Sequence, residues 1–269
     1  MKISVIIPTY KPGDYIWECL DSLKNQSMDK SDYEVIIVLN GCCEPYYSSI
    51  KEYLDSQMAE FNVIYIQTDT GGVSNARNIA LDHASGEYVT FLDDDDYVSE
   101  EYLSLLYECA SPETIALCCP YEFDDKTGKQ LDSPYSGTYE KLSPKGRQPY
   151  GRSRKYFSVP WMKLIHRDMI GSRRFDAGLK NCEDSLFMFL ISDKFRYVDY
   201  TSPKAIYYRR QREGSAVAAE GGKWTIIKHR LQLCCYYTGI YFRRPAAYKF
   251  SFYFTRLLAA CNSMLRLFI

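Results

Sequence analysis

The sequence predicts an α/β protein whose mostly parallel sheet is covered by helices on both faces. The first observation is a set of short, almost wholly apolar runs in the first 119 residues, each long enough for a buried strand. The second is that longer amphipathic segments separate these runs, which is the spacing of strand–helix–strand units. The third is a C-terminal segment, 223–269, in which apolar residues recur at helical spacing.

The elements of the first half follow one another in a regular order. Strands are predicted at residues 3–7, 34–39, 63–67 and 88–92, and helices near 16–24, 46–58 and 73–84. One face of the first helix collects the apolar residues Ile16, Cys19, Leu20 and Leu23. Because ligands of such sheets bind at the carboxyl ends of the strands, the residues that directly follow the four strands are the first candidates for a site.

The pattern becomes less regular after Cys119. Residues 120–157 contain several prolines and glycines among charged and tyrosine residues, which predicts a long irregular segment. A second ordered block runs over 159–208. We therefore expect one domain over residues 1–222, with halves at 1–119 and 120–222, followed by a helical tail.

The composition is typical of a folded soluble protein and excludes several classes. With 46% hydrophobic and 25% charged residues, collagen-like, disordered and disulfide-scaffold chains are ruled out. A net charge of −1 gives no reason to expect nucleic acid as a partner. The ten cysteines include no Cys-x-x-Cys spacing, so neither a zinc site nor a redox motif is predicted. Since no signal-peptide pattern begins at Met1, we expect the reducing cytoplasm.

The tail differs from the rest of the chain in charge. Of the 33 Lys and Arg and 34 Asp and Glu residues, the segment 223–269 holds eight basic and no acidic ones, so residues 1–222 carry a net charge of −9. Its longest uncharged stretch, 231–242, is too short to span a bilayer. Cationic charge beside many aromatic residues favours peripheral contact with an anionic membrane, whereas a helical hairpin packed on the body is the alternative.

A run of four carboxylates, Asp93 to Asp96, directly follows the predicted strand at 88–92. Four adjacent carboxylates repel one another and raise one another's pKa values unless a cation is present. A solvated acidic turn is the simplest interpretation of such a run in isolation. At the carboxyl end of a central strand, however, hard oxygen ligands that leave several positions open favour Mg²⁺ or Mn²⁺ holding a substrate diphosphate.

A glycine pair, Gly71 and Gly72, opens the third predicted helix. Glycine permits close approach of the backbone to a ligand, and the helix N-terminus favours an anion. Arg77 is expected off the face of this helix that packs inward, where its guanidinium could bind an anion. The alternative is a tight turn followed by an arginine that faces solvent.

Four segments together resemble the family 2 glycosyltransferases: 4–10, 19–26, 72–78 and 84–96. They stand in the order and spacing of that family, and the close match covers about residues 3–105. The resemblance implies a nucleotide-sugar-binding fold of type A, which is a doubly wound sheet with an Asp-x-Asp metal motif. It also implies a reaction that inverts configuration at the sugar carbon.

The resemblance implies roles for residues on the nucleotide side. Pro8, Thr9 and Tyr10 would line the nucleobase pocket, and Arg77 would lie near the base or a phosphate. The family usually has an acidic pair after the second strand, where this chain has Asn40. An amide can accept from an imide N–H as Asp does, with less charge. Uridine is therefore expected, with thymidine and guanosine donors left open.

The same resemblance implies roles for the carboxylates. Asp93 and Asp94 would meet the ribose and the diphosphate, and Asp95 would be the principal metal ligand, with Asp93 as the second.

The second ordered block is similar to the non-processive members of the family, those that add one sugar. The similarity lies in residues 159–167, Phe175 and 181–187. An inverting transfer needs a carboxylate to take the proton of the acceptor hydroxyl, and the family assigns this role to Asp184. Glu183 would orient a loop or the acceptor. Without the family, this acidic pair is the favourable first turn of an amphipathic helix.

Two residues of this block are candidates for contact with the acceptor. Trp161 could stack on an acceptor sugar or fill the core. Lys163 could contact the acceptor or a phosphate.

A basic, glycine-punctuated segment at 207–215 is the candidate for a loop that closes over the donor. Arg209, Arg212 and Ser215 are its candidate diphosphate ligands, since guanidinium groups suit phosphate oxygens. An exposed basic loop is an equal alternative.

The sequence as a whole predicts a metal-dependent inverting glycosyltransferase in cell-surface polysaccharide synthesis. It would move one sugar from a nucleotide diphosphate donor to a saccharide or a lipid-linked acceptor. Two alternatives remain: a sugar nucleotidyltransferase, for which the chain lacks a glycine-rich, Lys- or Arg-bearing loop after the first strand, and a binding module that has lost catalysis. The carboxylates at Asp93, Asp95 and Asp184 argue against the latter.

Overall fold

The strands and helices of the first half form where their apolar periodicity places them. The computed structural model describes residues 1–179, 181–212 and 222–267. In the first half it has strands β1 (Ile3–Thr9), β2 (Tyr33–Asn40), β3 (Asn62–Thr68), β4 (Tyr88–Phe91) and β5 (Tyr97–Val98), and helices α1 (Tyr15–Lys24), α2 (Tyr46–Gln57), α3 (Val73–His83) and α4 (Tyr102–Cys109). The expected inward face of α1 is confirmed, since Ile16, Cys19, Leu20 and Leu23 are its buried residues.

The second half adds shorter elements. Its strands are β6 (Thr114–Leu117), β7 (Cys119–Asp124), β8 (Gln148–Pro149), β9 (Lys163–His166), β10 (Tyr197–Tyr200) and β11 (Ile206–Gln211). Its helices are α5 (Ser136–Leu142), α6 (Arg167–Ile170), α7 (Glu183–Leu190), α8 (Lys223–Arg243) and α9 (Phe250–Leu265), with short 3₁₀ segments at Ser143–Lys145 and Tyr150–Ser158.

Eight strands form a mixed, mostly parallel sheet in the order β3-β2-β1-β4-β9-β6-β10-β8. The strands β3, β2, β1 and β4 are parallel to one another, and β9 runs antiparallel to both of its neighbours. The register pairs Thr9 with Leu39 and Ile6 with Phe91, so the carboxyl ends of these strands lie at one edge. A second sheet, β5-β11-β7, lies beside that edge and brings β11 to the residues that follow β4.

The expectation of a long irregular segment at 120–157 is wrong. This segment contains most of β7, all of α5 and β8, and most of the second 3₁₀ segment. Its tyrosines supply the packing: Tyr139 is buried and donates a hydrogen bond to the carbonyl of Thr201, and Tyr156 is buried and donates to the carbonyl of Tyr135. Glycine and proline content indicates turns. It does not indicate whether the aromatic side chains between the turns are buried against other parts of the chain.

The C-terminal tail forms the predicted pair of helices. Tyr237 of α8 and Phe252 of α9 are buried against the body, where Phe252 contacts the rings of Tyr150 and Phe157. Among the described residues, the structure has no helix that is both long and apolar enough to cross a bilayer.

A buried carboxylate fixes the connection from α3 to β4. The Oε1 atom of Glu34 accepts hydrogen bonds from the Ser4 hydroxyl at 2.6 Å, the Ser85 backbone N–H at 2.7 Å and the Gly86 N–H at 3.2 Å. A Cβ atom at Gly86 would lie 2.5 Å from the backbone nitrogen of Ser4 and 2.7 Å from the carbonyl carbon of Ile3. Only glycine fits, because β1 passes directly over this position.

We expect Gly86→Ala to lower the free energy of unfolding by about 1–3 kcal/mol or more, because the new methyl group forces the backbones of β1 and the α3–β4 connection apart. Urea denaturation is the measurement. Gly137→Ala is the matched control, since a Cβ at Gly137 in α5 meets nothing within 4 Å. The control should be neutral or slightly stabilising. Similar stability losses in the two variants would contradict the close approach.

Candidate active site

A cleft of about 1100 Å³ opens at the carboxyl ends of β1, β2 and β4. One wall comes from the ends of these strands and the start of α3, and the other from the start of α7 and the end of β11. The cleft brings together most of the residues that the sequence singled out: Pro8, Thr9, Tyr10, Asn40, Arg77, Asp93, Asp94, Asp95, Trp161, Glu183, Asp184, Arg209 and Arg212.

The four carboxylates after β4 divide into two kinds. Asp96 is buried and accepts hydrogen bonds from the Tyr207 hydroxyl at 2.7 Å and from the backbone N–H of Arg210 at 2.8 Å. It therefore attaches β11 to the turn. Asp93, Asp94 and Asp95 remain at the cleft, where each is held by a different partner.

The acidic turn is poorly compensated electrostatically. Burial raises the pKa of Asp94 to about 7; the hydrogen bond from Thr9 opposes this rise, and the neighbouring charges of Asp95 and Asp93 add to it. Burial, with a contribution from Asp93, also raises the pKa of Asp95, against the effect of Arg212, whose Nε donates to Asp95 Oδ2 at 2.7 Å. Additional positive charge at this turn would stabilise the ionised carboxylates.

Arg77 joins the two walls of the cleft. Its Nη2 donates to Asp93 Oδ1 at 3.0 Å and its Nη1 to Asp184 Oδ1 at 2.6 Å. The side chain is 3% exposed, so the expectation that it lies off the packed face of α3 is wrong. Burial alone would lower the pKa of Arg77, but Asp184 and Asp93 reverse this effect and raise it. Arg77 is buried because α7, more than 100 residues away in sequence, covers this side of α3.

The acidic pair Glu183 and Asp184 lies in the first turn of α7, as predicted. Burial raises the pKa of Asp184, and the guanidinium of Arg77 opposes the rise. Burial, with the charge of Asp184, raises the pKa of Glu183. The side chain of Asp184 nevertheless keeps 22% of its surface exposed to the cleft. It is thus held by one buried cation on one side and is open to a ligand on the other.

Asn40 has a structural task besides its place in the cleft. Its Nδ2 donates to the carbonyl of Thr9 at 2.7 Å, and its Oδ1 accepts from the backbone N–H of Gly72 at 2.8 Å. The amide thereby fixes the ends of β1 and β2 and the start of α3 relative to one another. An imide N–H of a base could use only the second lone pair of Oδ1.

Trp161 and Lys163 lie in different surroundings. Trp161 lines the cleft, stacks on Tyr207 with ring centroids 5.0 Å apart, and carries the guanidinium of Arg209 at 5.2 Å from its ring. The expected contact of Lys163 with the acceptor does not fit its position, because this side chain is fully buried and outside the cleft lining.

Lys163 is instead a buried support of the cleft wall. Its Nζ donates to the carbonyls of Tyr156, Val159 and Trp161 at 3.0, 2.7 and 2.9 Å. Burial lowers its pKa to about 7. A single lysine at the start of a predicted strand does not indicate that its ammonium group will be buried against backbone carbonyls.

The segment expected to close over the donor is described up to Arg212. Arg209 donates to Glu122 at 2.9 Å, and Arg212 pairs with Asp95, so both arginines are engaged with carboxylates. Ser215 lies outside the described residues. Sequence reasoning did not find Arg230 of α8, which also lines the cleft, because it treated the tail as a separate unit.

The carboxylates at the cleft fit a divalent cation that binds together with a diphosphate. Within the described residues, no group of three or more His, Cys, Asp or Glu side chains is arranged to hold a metal ion. Mg²⁺ is usually held by one or two carboxylates and by substrate phosphates rather than by a cage of protein ligands. Asp95 and Asp93 can supply that number of hard oxygen donors.

The family model described as "Glycosyl transferase family 2" matches residues 4–173. The chain belongs to this family. The match includes β1 to β4, the acidic turn and β9, and it ends ten residues before α7, so the family membership agrees with the resemblance found in the sequence.

Two curated relatives extend the similarity of this family 2 chain beyond the matched region. Glycosyltransferase GlyA of Streptococcus pneumoniae is 31% identical over 235 residues, which are 83% of this chain and 32% of GlyA. The poly(ribitol-phosphate) beta-N-acetylglucosaminyltransferase TarS of Staphylococcus aureus is 27% identical over 223 residues, 81% of this chain and 37% of TarS. The chain thus spans about a third of the length of these relatives.

Solved structures show the same fold. TarS residues 1–349 in complex with UDP-GlcNAc superpose with a TM-score of 0.69 and 26% identity, covering 88% of this chain and 66% of that one. The mannosyltransferase PcManGT of Pyrobaculum calidifontis, in complex with GDP-Man and Mn²⁺, gives a TM-score of 0.63 over 98% of this chain and 75% of that one. At 16% identity the second likeness concerns the fold alone.

We expect Arg77→Met to lower the free energy of unfolding at pH 7 by about 3 kcal/mol, since it leaves two carboxylates without their cation. Without Arg77, burial holds the pKa of Asp184 above its unfolded value, so the stability deficit grows as the pH rises and shrinks as it falls. Urea denaturation at about pH 7 and pH 5 measures both effects.

Arg174→Met is the control for this prediction, because it removes the more exposed ion pair with Asp82. It should change the free energy of unfolding by less than about 1 kcal/mol at either pH. A deficit for Arg77→Met that is independent of pH would show that the lost packing of the side chain, and not its charge, is responsible.

Proposed function

We propose that this protein is an inverting glycosyltransferase that moves one sugar from a uridine diphosphate donor to a saccharide or lipid-linked acceptor in the synthesis of a cell-surface polysaccharide. The observation that carries the proposal is the guanidinium of Arg77, which joins Asp93 of the acidic turn to Asp184 of α7 across one cleft. A donor group held at the turn and an acceptor hydroxyl at Asp184 would then be neighbours.

The two halves of the domain would divide the binding of substrates. Residues 1–119 would bind the donor nucleotide at the carboxyl ends of β1, β2 and β4, with Pro8, Thr9, Tyr10 and Asn40 around the base. Residues 120–222 would bind the acceptor and supply the catalytic carboxylate. The complex of TarS with UDP-GlcNAc supports a uridine donor, and the name of TarS supports a polymeric acceptor that contains polyol phosphate.

Asp95 and Asp93 would hold a Mn²⁺ or Mg²⁺ ion. Such an ion neutralises the negative charge of a departing diphosphate. The chain's own cations would act beside it: Arg212 pairs with Asp95 of the turn, and Arg209, which also lines the cleft, pairs with Glu122 of β7. Each could exchange its carboxylate partner for a phosphate oxygen of the donor.

Asp184 would act as the general base. It would accept the proton of the acceptor hydroxyl as the oxygen attacks the sugar carbon on the face opposite the diphosphate. A base must be ionised to act, and Arg77 opposes the rise in the Asp184 pKa that burial causes. Arg77 would therefore keep the base charged while its second hydrogen bond fixes the base relative to the donor side.

We expect Asp95→Asn to abolish metal-dependent donor binding, because the amide keeps the shape of the side chain but loses the charge that a divalent ion requires. Calorimetric titration of uridine diphosphate with and without Mn²⁺ is the measurement. Asp82→Asn, at an exposed ion pair outside the cleft, is the control and should bind as the wild type does. If Asp95→Asn kept the affinity that Mn²⁺ confers, the acidic turn would not be the metal site.

We expect Asp184→Asn to leave donor binding nearly intact while lowering turnover at least about a hundredfold, the usual scale for the loss of a general base. The asparagine can still accept a hydrogen bond from Arg77, so the cleft should keep its shape. Turnover is measured with a UDP-sugar panel and the acceptor that supports wild-type activity.

Asp193→Asn is the matched control for the loss of a buried Arg–Asp ion pair. Asp193 accepts two hydrogen bonds from Arg173 beyond the C-terminal end of α7 and does not line the cleft. This variant should lose stability but keep turnover within about threefold of wild type, since distant sites without shared partners do not usually couple. If turnover fell equally in both variants, the effect of Asp184→Asn would be structural.

A further inference from the structure

The two C-terminal helices are attached to the body by one face only. On that face the hydroxyl groups of Tyr237 and Ser185 lie 2.6 Å apart, and the guanidinium of Arg256 donates to the carbonyl of Arg154 at 2.6 Å. Tyr248, between the helices, donates to the carbonyl of Leu190 at 2.9 Å. The hairpin is thus an integral part of the described structure, as the second of the two sequence interpretations expected.

The opposite face exposes large apolar side chains. In α8 they are Trp224, Leu231 and Phe242, spaced seven and eleven residues apart, which at about 100° per residue places them along one line of the helix. In α9 they are Phe250, Phe254, Leu258 and Leu265, at spacings of four, four and seven. We call these seven residues the outer stripe; their exposure ranges from 45% to 80%.

The two parts of the outer stripe meet at the end of the hairpin. Tyr241 contacts both Phe242 and Phe250, with ring centroids 5.3 and 6.0 Å apart, and Phe250 contacts Phe254 at 6.0 Å. Phe242, Phe250 and Phe254 therefore form one connected apolar patch at this end of the hairpin. Contiguous apolar surface of this kind usually marks an interaction site.

The basic residues of the hairpin differ in their surroundings: Arg244 Nη1 lies 3.8 Å from Asp193 Oδ2 and Lys249 Nζ lies 4.4 Å from the ring centroid of Tyr150, both groups of the body. Arg230 and Arg256 are turned toward the body, where Arg230 lines the cleft and Arg256 is buried. Six basic residues are exposed: Lys223, Lys228, Arg243, Arg244, Lys249 and Arg266. No acidic residue occurs in 223–269 to offset them.

We infer that the outer stripe binds the surface of an anionic lipid bilayer, with its apolar side chains inserted at the headgroup level and the exposed cations Lys228, Arg243 and Arg266 among the lipid phosphates. Basic residues with aromatic and leucine side chains on an exposed helix face are the composition of interfacial helices. The cytoplasmic leaflet has the negative surface potential that attracts such residues.

Charge distinguishes this occupant from a second copy of the chain. A symmetric dimer through the outer stripe would bring two identical cationic surfaces together with no carboxylate from the hairpin between them. An anionic bilayer offers both the opposite charge and an apolar interior. The inference does not depend on the proposed transfer reaction, since lipid binding requires neither Asp184 nor a donor.

The position of the cleft gives the inferred contact a functional meaning. Arg230 reaches the cleft from the same helix that carries Trp224 and Leu231 on its exposed side. A bilayer bound to the outer stripe would therefore lie within about one helix diameter of the cleft wall formed by α8. That distance suits an acceptor whose saccharide is attached to a lipid.

The test is co-sedimentation of the full chain with vesicles at low salt. Vesicles of phosphatidylcholine with about a third phosphatidylglycerol should bind the protein, vesicles of phosphatidylcholine alone should not, and binding should weaken as salt is raised. Lys228→Gln with Arg266→Gln should lower the affinity roughly 25-fold, at about fivefold per charge. Trp224→Ser with Leu265→Ser should lower it more than about tenfold.

Lys30→Gln with Lys51→Gln is the matched control, since these exposed lysines pair with Glu60 and Asp55 near the β3 and α2 edge of the molecule. It removes the same charge and should bind vesicles as the wild type does. Thermal unfolding of each variant checks that it is folded.

Three outcomes would overturn the inference: no sedimentation of the wild type with anionic vesicles at low salt, equal loss of binding in the control and the charge variant, or wild-type vesicle binding by both hairpin variants. Light scattering measures whether the protein is a monomer or a dimer. If the wild type is dimeric without binding vesicles, and Trp224→Ser with Leu265→Ser makes it monomeric, the outer stripe binds a second copy instead.

Discussion

The guanidinium of Arg77 is the interaction on which the arrangement of the cleft depends. A buried cation is unfavourable without anionic partners, and the carboxylates of Asp93 and Asp184 beside it are unfavourable without a cation. The three groups therefore stabilise one another only while α3, the turn after β4 and the start of α7 stay together. The two walls of the cleft come from parts of the chain that are about 90 residues apart, and no other ion pair in the described residues connects the acidic turn directly to α7. The same pair of hydrogen bonds therefore serves folding, the charge state of Asp184 and the distance between the two candidate substrate sites.

The strands β1 to β4 and the helices α1 to α3 could be predicted to within two residues at each end because their signals are local. An apolar run such as Val35 to Leu39 has little alternative to a buried strand, and the helices between such runs show their inward face within two turns. The segment 120–157 was mispredicted since its order comes from tyrosines that bind distant backbone groups, such as Tyr139 at Thr201. Local glycine and proline content carries no information about such contacts.

The candidate site likewise has features that local sequence signals predict and features that they do not. The position of Asp93 to Asp96 at the carboxyl end of β4 followed from strand order alone, and the acidic first turn of α7 followed from the amphipathic pattern of the residues after it. The partners of these groups did not follow. Arg77 was expected off the packed face of α3 and Lys163 was expected at the acceptor, yet both side chains are buried. Asp184, the partner of Arg77, is 107 residues away in sequence, whereas Lys163 donates to the carbonyls of three residues within seven positions of it: Tyr156, Val159 and Trp161. A charged residue in a local pattern is expected to face solvent, and the pattern does not show which of these residues the fold buries.

The hairpin of α8 and α9 has one face that packs on the body and another that exposes apolar side chains, and the two interpretations of the tail describe these two faces. Packing on the body and contact with a membrane are alternatives only if each helix has a single apolar side. The described structure buries Tyr237 and Phe252 on one side while Trp224 and Phe254 remain exposed on the other. It turns Arg230 and Arg256 inward, and the other basic residues are exposed, two of them beside groups of the body: Arg244 at Asp193 and Lys249 at the ring of Tyr150. A helix that is apolar on two faces must cover both, and in this hairpin Arg256 is turned inward to the carbonyl of Arg154 while Lys228 and Arg266 are exposed. The inward face makes the hairpin part of the domain, and that attachment is what would hold a membrane-bound outer face at a fixed position relative to the cleft.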